Sequence, residues 1–243
     1  MESSAESPAN WALREFRRLI PTDFSLAEVG LLISAAVQGR TEDDFDLVGE
    51  LARLDELAAH VESPTADGVF SSLFHDLAFR GDRERYYSLE NSLIDRVVDR
   101  RLGIPISLSV VFIEVARRVG VELIGVGLPG HFVTATVGES ESFPEIFYDA
   151  FEPSGPMTRA DCARLISRLA GRPIALPSEA FVPMAPVAVV ERMLNNMKAI
   201  LVRQAGSPLA VGALRSVMAL RSALPTIGRS ETEEWRRLMA PLN

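Results

Sequence analysis

At Gly120 the hydrophobic repeat of this chain changes period. Before it, Ile106 to Val119 is the most apolar helical stretch of the sequence, opened by Gly103-Ile104-Pro105 and closed by the glycine. Proline suits a first helical turn because its missing N–H would be unpaired there anyway. After the glycine, Glu122 to Gly127, His131 to Val137 and Ile146 to Ala150 are short, rich in Val, Ile, Phe, Tyr and Thr, and separated by Pro, Gly and Ser. A central helix that feeds short strands predicts an α+β protein with a small antiparallel sheet.

Helices surround that switch. A short one is expected from Trp11, through Phe16 and Leu19; Ser25 with Glu28 forms a capping-box signature for a second, which runs to Gly39. Asp44 to Val61 continues the helical spacing, so the first third reads as a helical hairpin, and Ser63-Pro64 with Asp67-Gly68 reads as a loop. Further helices are predicted over Val69 to Phe79, Leu89 to Arg100 and Thr158 to Leu169. After a Pro-rich connection come a pair at Val187 to Arg203 and Pro208 to Ala223, and a short last helix over Glu231 to Met239. The division expected is a flexible terminus at 1–10, a core domain at 11–180 and a helical extension at 181–243.

The chain has 243 residues, 47% hydrophobic and 24% charged, enough to bury a core, and so wholesale disorder is excluded. A net charge of -8 disfavours general nucleic-acid affinity. The single cysteine, Cys162, can form no internal disulfide, which fits a reducing cytoplasm. The N-terminus lacks a signal-peptide pattern and no apolar run reaches membrane-spanning length, so secretion and membrane insertion are not expected. No metal or cofactor is expected.

Gly125-Val126-Gly127-Leu128-Pro129-Gly130 has the letters of a dinucleotide fingerprint, but a strand follows where the pyrophosphate would need a helix N-terminus. The glycines are instead a turn that delivers His131 to a strand entrance. Asp149, at the end of the next strand, is placed to orient that imidazole if the strands pair. Glu114 interrupts the apolar stripe of the central helix, where a carboxylate must be paired, protonated or facing a cavity. Ser107 lies on nearly the same helix face, while Asn91 and Ser92 either cap a helix or line the same cleft. Cys162 reads as a buried, inert thiol, and Asn195-Asn196 as interhelical hydrogen-bonding groups or a peptide contact.

Several stretches together resemble the bacterial SirB-type proteins, a transglutaminase-like family whose core is often followed by tetratricopeptide repeats. They are Leu31-Leu32-Ile33-Ser34-Ala35, Leu54-Asp55-Glu56-Leu57-Ala58, Phe79-Arg80-Gly81, Tyr87 with Asn91-Ser92-Leu93, Arg101 to Ser109, and Val126 to Phe132. The resemblance covers roughly residues 25–203. It implies a transglutaminase/papain-like core and makes the C-terminal helical pair a truncated tetratricopeptide-like extension. The family's usual Asp-Pro before the Asn-Ser pair is Ser88-Leu89 here. The broader transglutaminase and papain-like resemblance implies a Cys-His-Asp triad, of which His131 and Asp149 match the last two members. The cysteine position falls on or beside Pro105, which has no reactive group.

A thiolate makes the acyl-enzyme route feasible, so ordinary cysteine chemistry is not expected. The expectation is a non-covalent binding or regulatory module, a pseudoenzyme whose cleft around His131, Asp149 and Glu114 takes a protein, a peptide or a small-molecule ligand. Asn91, Ser92 and Ser107 would contact that ligand. The alternative is a cysteine-independent enzyme in which His131 and Asp149 perform acid–base hydrolysis or rearrangement of an amide, ester or small metabolite.

Overall fold

The computed structural model describes residues 10–137, 144–204 and 207–227; the helix expected at 231–239 lies outside them. The chain forms two compact units, residues 50–189 and a discontinuous unit of residues 1–49 with 190–243. The expectation from sequence divided the chain differently, into a contiguous core at 11–180 and an extension at 181–243; in the discontinuous unit the first helices pack with a C-terminal one.

In the discontinuous unit, α1 (Asn10–Leu19), α2 (Leu26–Gln38) and α9 (Pro208–Arg221) pack together, with α2 against both others. The capping signature of α2 forms as read: the Ser25 side chain accepts from the Glu28 N–H, and Gly39 closes the helix at φ 69°. Trp11 Nε1 donates to the Arg40 carbonyl at 3.0 Å. Within α8 (Pro186–Arg203), Asn195 accepts from the Arg221 guanidinium, so one of the paired asparagines serves an interhelical contact.

The unit of residues 50–189 is built on α6 (Pro105–Arg118), whose residues from Pro105 to Ala116 are all buried. Around it pack α4 (Ala66–Ser71), α5 (Ile94–Arg100), β3 (Leu123–Val126) and β4 (Val133–Thr136). The sheet is an antiparallel meander, β3-β4-β5-β6, with β5 at Phe147–Tyr148 and β6 at Pro156–Met157. Val126 pairs with Val133 and Thr134 with Tyr148. Most of α3 (Leu47–Ala59) and all of α7 (Arg159–Ala170) complete this unit. Its second sheet, which periodicity did not reveal, is a two-residue parallel pair, β1 (Arg80–Gly81) with β2 (Leu102–Gly103).

Two helices expected from sequence are shorter than their apolar spacing suggested. The first begins earlier, at Ala66, because Thr65 caps it by accepting from the Gly68 N–H, so Asp67-Gly68 is helical and not a loop. It ends in a π-helical turn over Ser72–Asp76, after which Ala78 adopts a left-handed φ of 57° and the chain extends into β1. The second splits into a 3-10 turn, Leu89–Asn91, and α5. The Asn91 carbonyl accepts from the Ile104 N–H and the Ser107 hydroxyl, so it is spent on the start of α6 and is not available to continue a helix.

Candidate functional site

The start of α6 is fastened from three sides. Ser107 Oγ accepts from the Ile104 N–H at 3.1 Å, the return half of a capping box, and donates to the Asn91 carbonyl at 2.6 Å. The Asn91 side chain donates to the Arg85 carbonyl at 2.7 Å and accepts from Arg100 at 3.1 Å. Arg100 also reaches Asp82 at 3.0 Å. Burial pushes the Asp82 carboxyl upward, but the Arg85 N–H, the Arg100 guanidinium and Asn91 outweigh it and hold the group below the usual aspartate range. These bonds set the loop from Asp82 to Asn91 against the helix start.

The next layer is the β1–β2 pair. The Asp82 N–H donates to the Gly103 carbonyl and the Gly81 N–H to the Phe151 carbonyl, which links the helix entrance to the chain just beyond β5. Gly81 permits a close approach: a Cβ there would stand 2.4 Å from the Phe151 ring. Phe151 in turn meets the His131 ring edge-on, with centroids 6.4 Å apart.

His131 and Asp149 come together through strand register. Thr134 faces Tyr148, so His131, just before β4, and Asp149, just after β5, lie at the same end of this strand pair. His131 Nε2 stands 3.0 Å from Asp149 Oδ2, with side chains only 5% and 2% exposed. The other carboxylate oxygen, Oδ1, accepts from the backbone N–H groups of Phe151 and Glu152, an Asx turn that fixes the direction of Oδ2.

Asp149 forms part of the wall of a cleft of about 1070 Å³ that lies within this unit. Phe74, Phe79 and Leu165 back this wall as buried side chains, Phe151 and Met157 are half-buried in it, and its charged residues are Arg80, Arg83, Arg164 and Arg168 with Asp82, Glu84, Asp149, Glu152 and Asp161. The arginines carry no spacing signal in the sequence, since they meet from a two-residue strand, a loop and α7. Phe79-Arg80-Gly81 was part of the family resemblance, yet nothing local marked Arg80 as a cleft residue.

The other residues singled out from sequence take different positions. Glu114 departs from the expectation of a shared hollow: its carboxylate meets Arg117 at 2.9 Å and Arg118 at 3.0 Å. It follows Pro105 by nine residues, roughly 13 Å along the helix axis. Its place is thus near the C-terminal end of α6, where cations complement the carbonyls. Asn91 and Ser107 are buried in the fastening of the helix start, and Ser92 is buried beside them at the entrance to α5. Cys162 packs with Val126, Val133, Phe147 and Ile166 in the apolar cluster between sheet and α7. Burial first, then the charges of Asp161 and Asp149, push its thiol up to about 12. Among the described residues, no group of three or more His, Cys, Asp and Glu side chains is arranged to hold a metal ion. No described helix is long and apolar enough to cross a membrane.

Comparison with known proteins adds a family. Residues 46–195 match the family model described as transglutaminase-like superfamily. The chain is 31% identical over 169 residues to F-box only protein 21 of Mus musculus, a match that takes in 68% of this chain and 24% of that protein. It is 52% identical over 61 residues to a UPF0162 protein of Xylella fastidiosa, covering 25% of this chain and 22% of the relative. A UPF0162 protein of Pseudomonas aeruginosa is 28% identical over 169 residues, covering 66% of this chain and 60% of its own length. The chain thus spans about a quarter of the first of these relatives. No solved structure matches.

Proposed function

The chain belongs to the transglutaminase-like superfamily, and we propose that it serves as a non-covalent binding or regulatory module and not as an acyl-transfer enzyme. The observation that carries this reading is the first turn of α6. Pro105 occupies its first position, and Ser107, the nearest hydroxyl, is 1% exposed and committed to Ile104 and Asn91. The single thiol is sealed in an apolar cluster and stays protonated near neutral pH. A covalent route needs an activated thiol or hydroxyl within reach of the imidazole. Without one, the His131–Asp149 pair is a fixed polar group at the edge of a cleft, and the occupant is a protein or peptide segment or a small molecule held by contacts alone. Glu114 contributes by anchoring α6, and a reducing, cytoplasmic setting suits the lone buried thiol.

The test is a panel of short peptides and small amides added to the full chain. At least one should raise the melting temperature and shift amide resonances of cleft residues. Ser154→Trp, which fills the cleft mouth from an exposed position, should abolish both effects. Intact-mass spectra should show no adduct. Silence across the panel sinks the binding reading.

The short, buried His131–Asp149 approach also supports a second reading, a cysteine-independent enzyme in which the imidazole moves a proton. That reading requires turnover of an amide or ester that His131→Ala abolishes with the melting temperature nearly unchanged. Turnover of this kind would displace the first reading.

A further inference from the structure

The cleft wall holds more acidic groups than arginines, yet the acids are mostly spent. Asp82 is taken by Arg100 and the Arg85 N–H, and Asp149 by His131 and two backbone N–H groups. Asp161 caps α7 through Thr158 and pairs with Arg164. Glu152 is shared, with Oε1 on Arg83 at 2.9 Å and Oε2 on Arg168 at 3.0 Å, so two guanidinium groups divide one carboxylate. Arg80 lines the same cleft from β1, and no acidic partner is described for it. Of the wall acids, Glu84 is the one without a described partner. Arg80, Arg83 and Arg168 thus have one described carboxylate partner among them, Glu152, a local surplus of guanidinium within a wall of five carboxylates and four arginines.

We propose that this cleft binds an acidic peptide segment, with Arg80 receiving a carboxylate and the Arg83–Glu152–Arg168 group adding positive potential beside it. This rests on the binding reading above and names its ligand class. Two observations favour an extended peptide over a small free anion. The volume of about 1070 Å³ lies at the top of the roughly 300–1,000 Å³ range of small-molecule sites. The same wall carries the half-buried Phe151 and Met157, which suit apolar side chains next to the acid. Arg80 is also held in place. Its N–H donates to the Arg101 carbonyl in the β1–β2 pair, and both Ala78 and Arg101 adopt left-handed φ values, 57° and 55°, at the base of that pair. Such conformations persist where surrounding contacts over-determine the backbone. A fixed strand sets where the arginine side chain starts, and its planar fork matches a carboxylate in two hydrogen bonds.

The experiment uses the full chain and two fluorescein-labelled, C-amidated peptides of alternating leucine and glutamate or leucine and glutamine, read by anisotropy. The glutamate peptide should bind roughly tenfold more tightly, the effect of one charge-assisted contact. Arg80→Gln should remove most of that preference and leave the glutamine peptide unchanged, and Arg80→Lys should restore part of it. Arg80 is exposed, so these variants are expected to keep the parent melting temperature, which is measured alongside. Equal affinities for the two peptides overturn the proposal, as does a glutamate preference that survives Arg80→Gln, or no binding of the glutamate peptide. Equal affinities that both vanish in Ser154→Trp would remove the acidic preference while leaving the binding reading intact. Only silence across the wider panel removes that reading too.

Discussion

Glu114 and His131 show how much a single residue's role depends on its partners. Both stood out in the sequence for sound reasons, a charge in an apolar helix and an imidazole after a tight turn. Glu114 is satisfied by two arginines of unequal burial, Arg117 at 59% and Arg118 at 13% side-chain exposure. Arg118→Met should therefore cost about 3 kcal/mol in urea unfolding, because it removes the better-buried of the two arginines that pair with this buried carboxylate. Arg117→Met should cost under about 1 kcal/mol. Reversal of that order would show that Glu114 does not depend on the buried pair. Cys162 gives a second residue-scale prediction. With its thiol pushed up to about 12, the thiolate fraction at pH 8 is about 10⁻⁴. A disulfide reagent should leave the native thiol untouched over hours and titrate it fully in denaturant; fast native labelling would contradict its place in the apolar cluster.

At the scale of elements, the fastening of α6 accounts for the buried polar groups of Asn91 and Ser107. Their polar groups are consumed in joining a loop to a helix start, a job that calls for the same residue types as a binding site. Ser107→Ala leaves the Ile104 N–H without its Oγ acceptor and should cost about 1–3 kcal/mol. The same knot predicts acid sensitivity. Asp82 has a folded value held below its ordinary 3.8, so its contribution is complete above that value and is lost as pH falls through the lower, folded one. Stability measured from pH 5 downward should fall less steeply in Asp82→Asn than in the parent chain, and identical slopes would count against the Arg100 pairing. Gly81→Ala should displace the Phe151 ring that rests on it and against His131, lowering ligand affinity in the cleft along with about 1–3 kcal/mol of stability. The helices and the β3–β4 hairpin were readable because their periods span several residues. The β1–β2 pair was not, since two residues make no period.

At the scale of the whole molecule, the chain returns on itself: helices from both ends form one unit and residues 50–189 form the other. Apolar spacing identified α1, α2, α8 and α9 but held no information on which of them pack together. Such pairing is chosen by shape and buried area over long separations along the chain. The fold class, the central helix, the Gly130 turn and a small antiparallel sheet around it followed from sequence alone. Each rests on local chemistry: a repeat, a cap or a turn. Which carboxylate stands beside the imidazole, where Glu114 turns, and the gathering of four arginines on one cleft were settled only in three dimensions. The reason is physical. A buried charge takes whichever partner the packing brings within about 4 Å, and that partner lies on an element whose position no local pattern encodes.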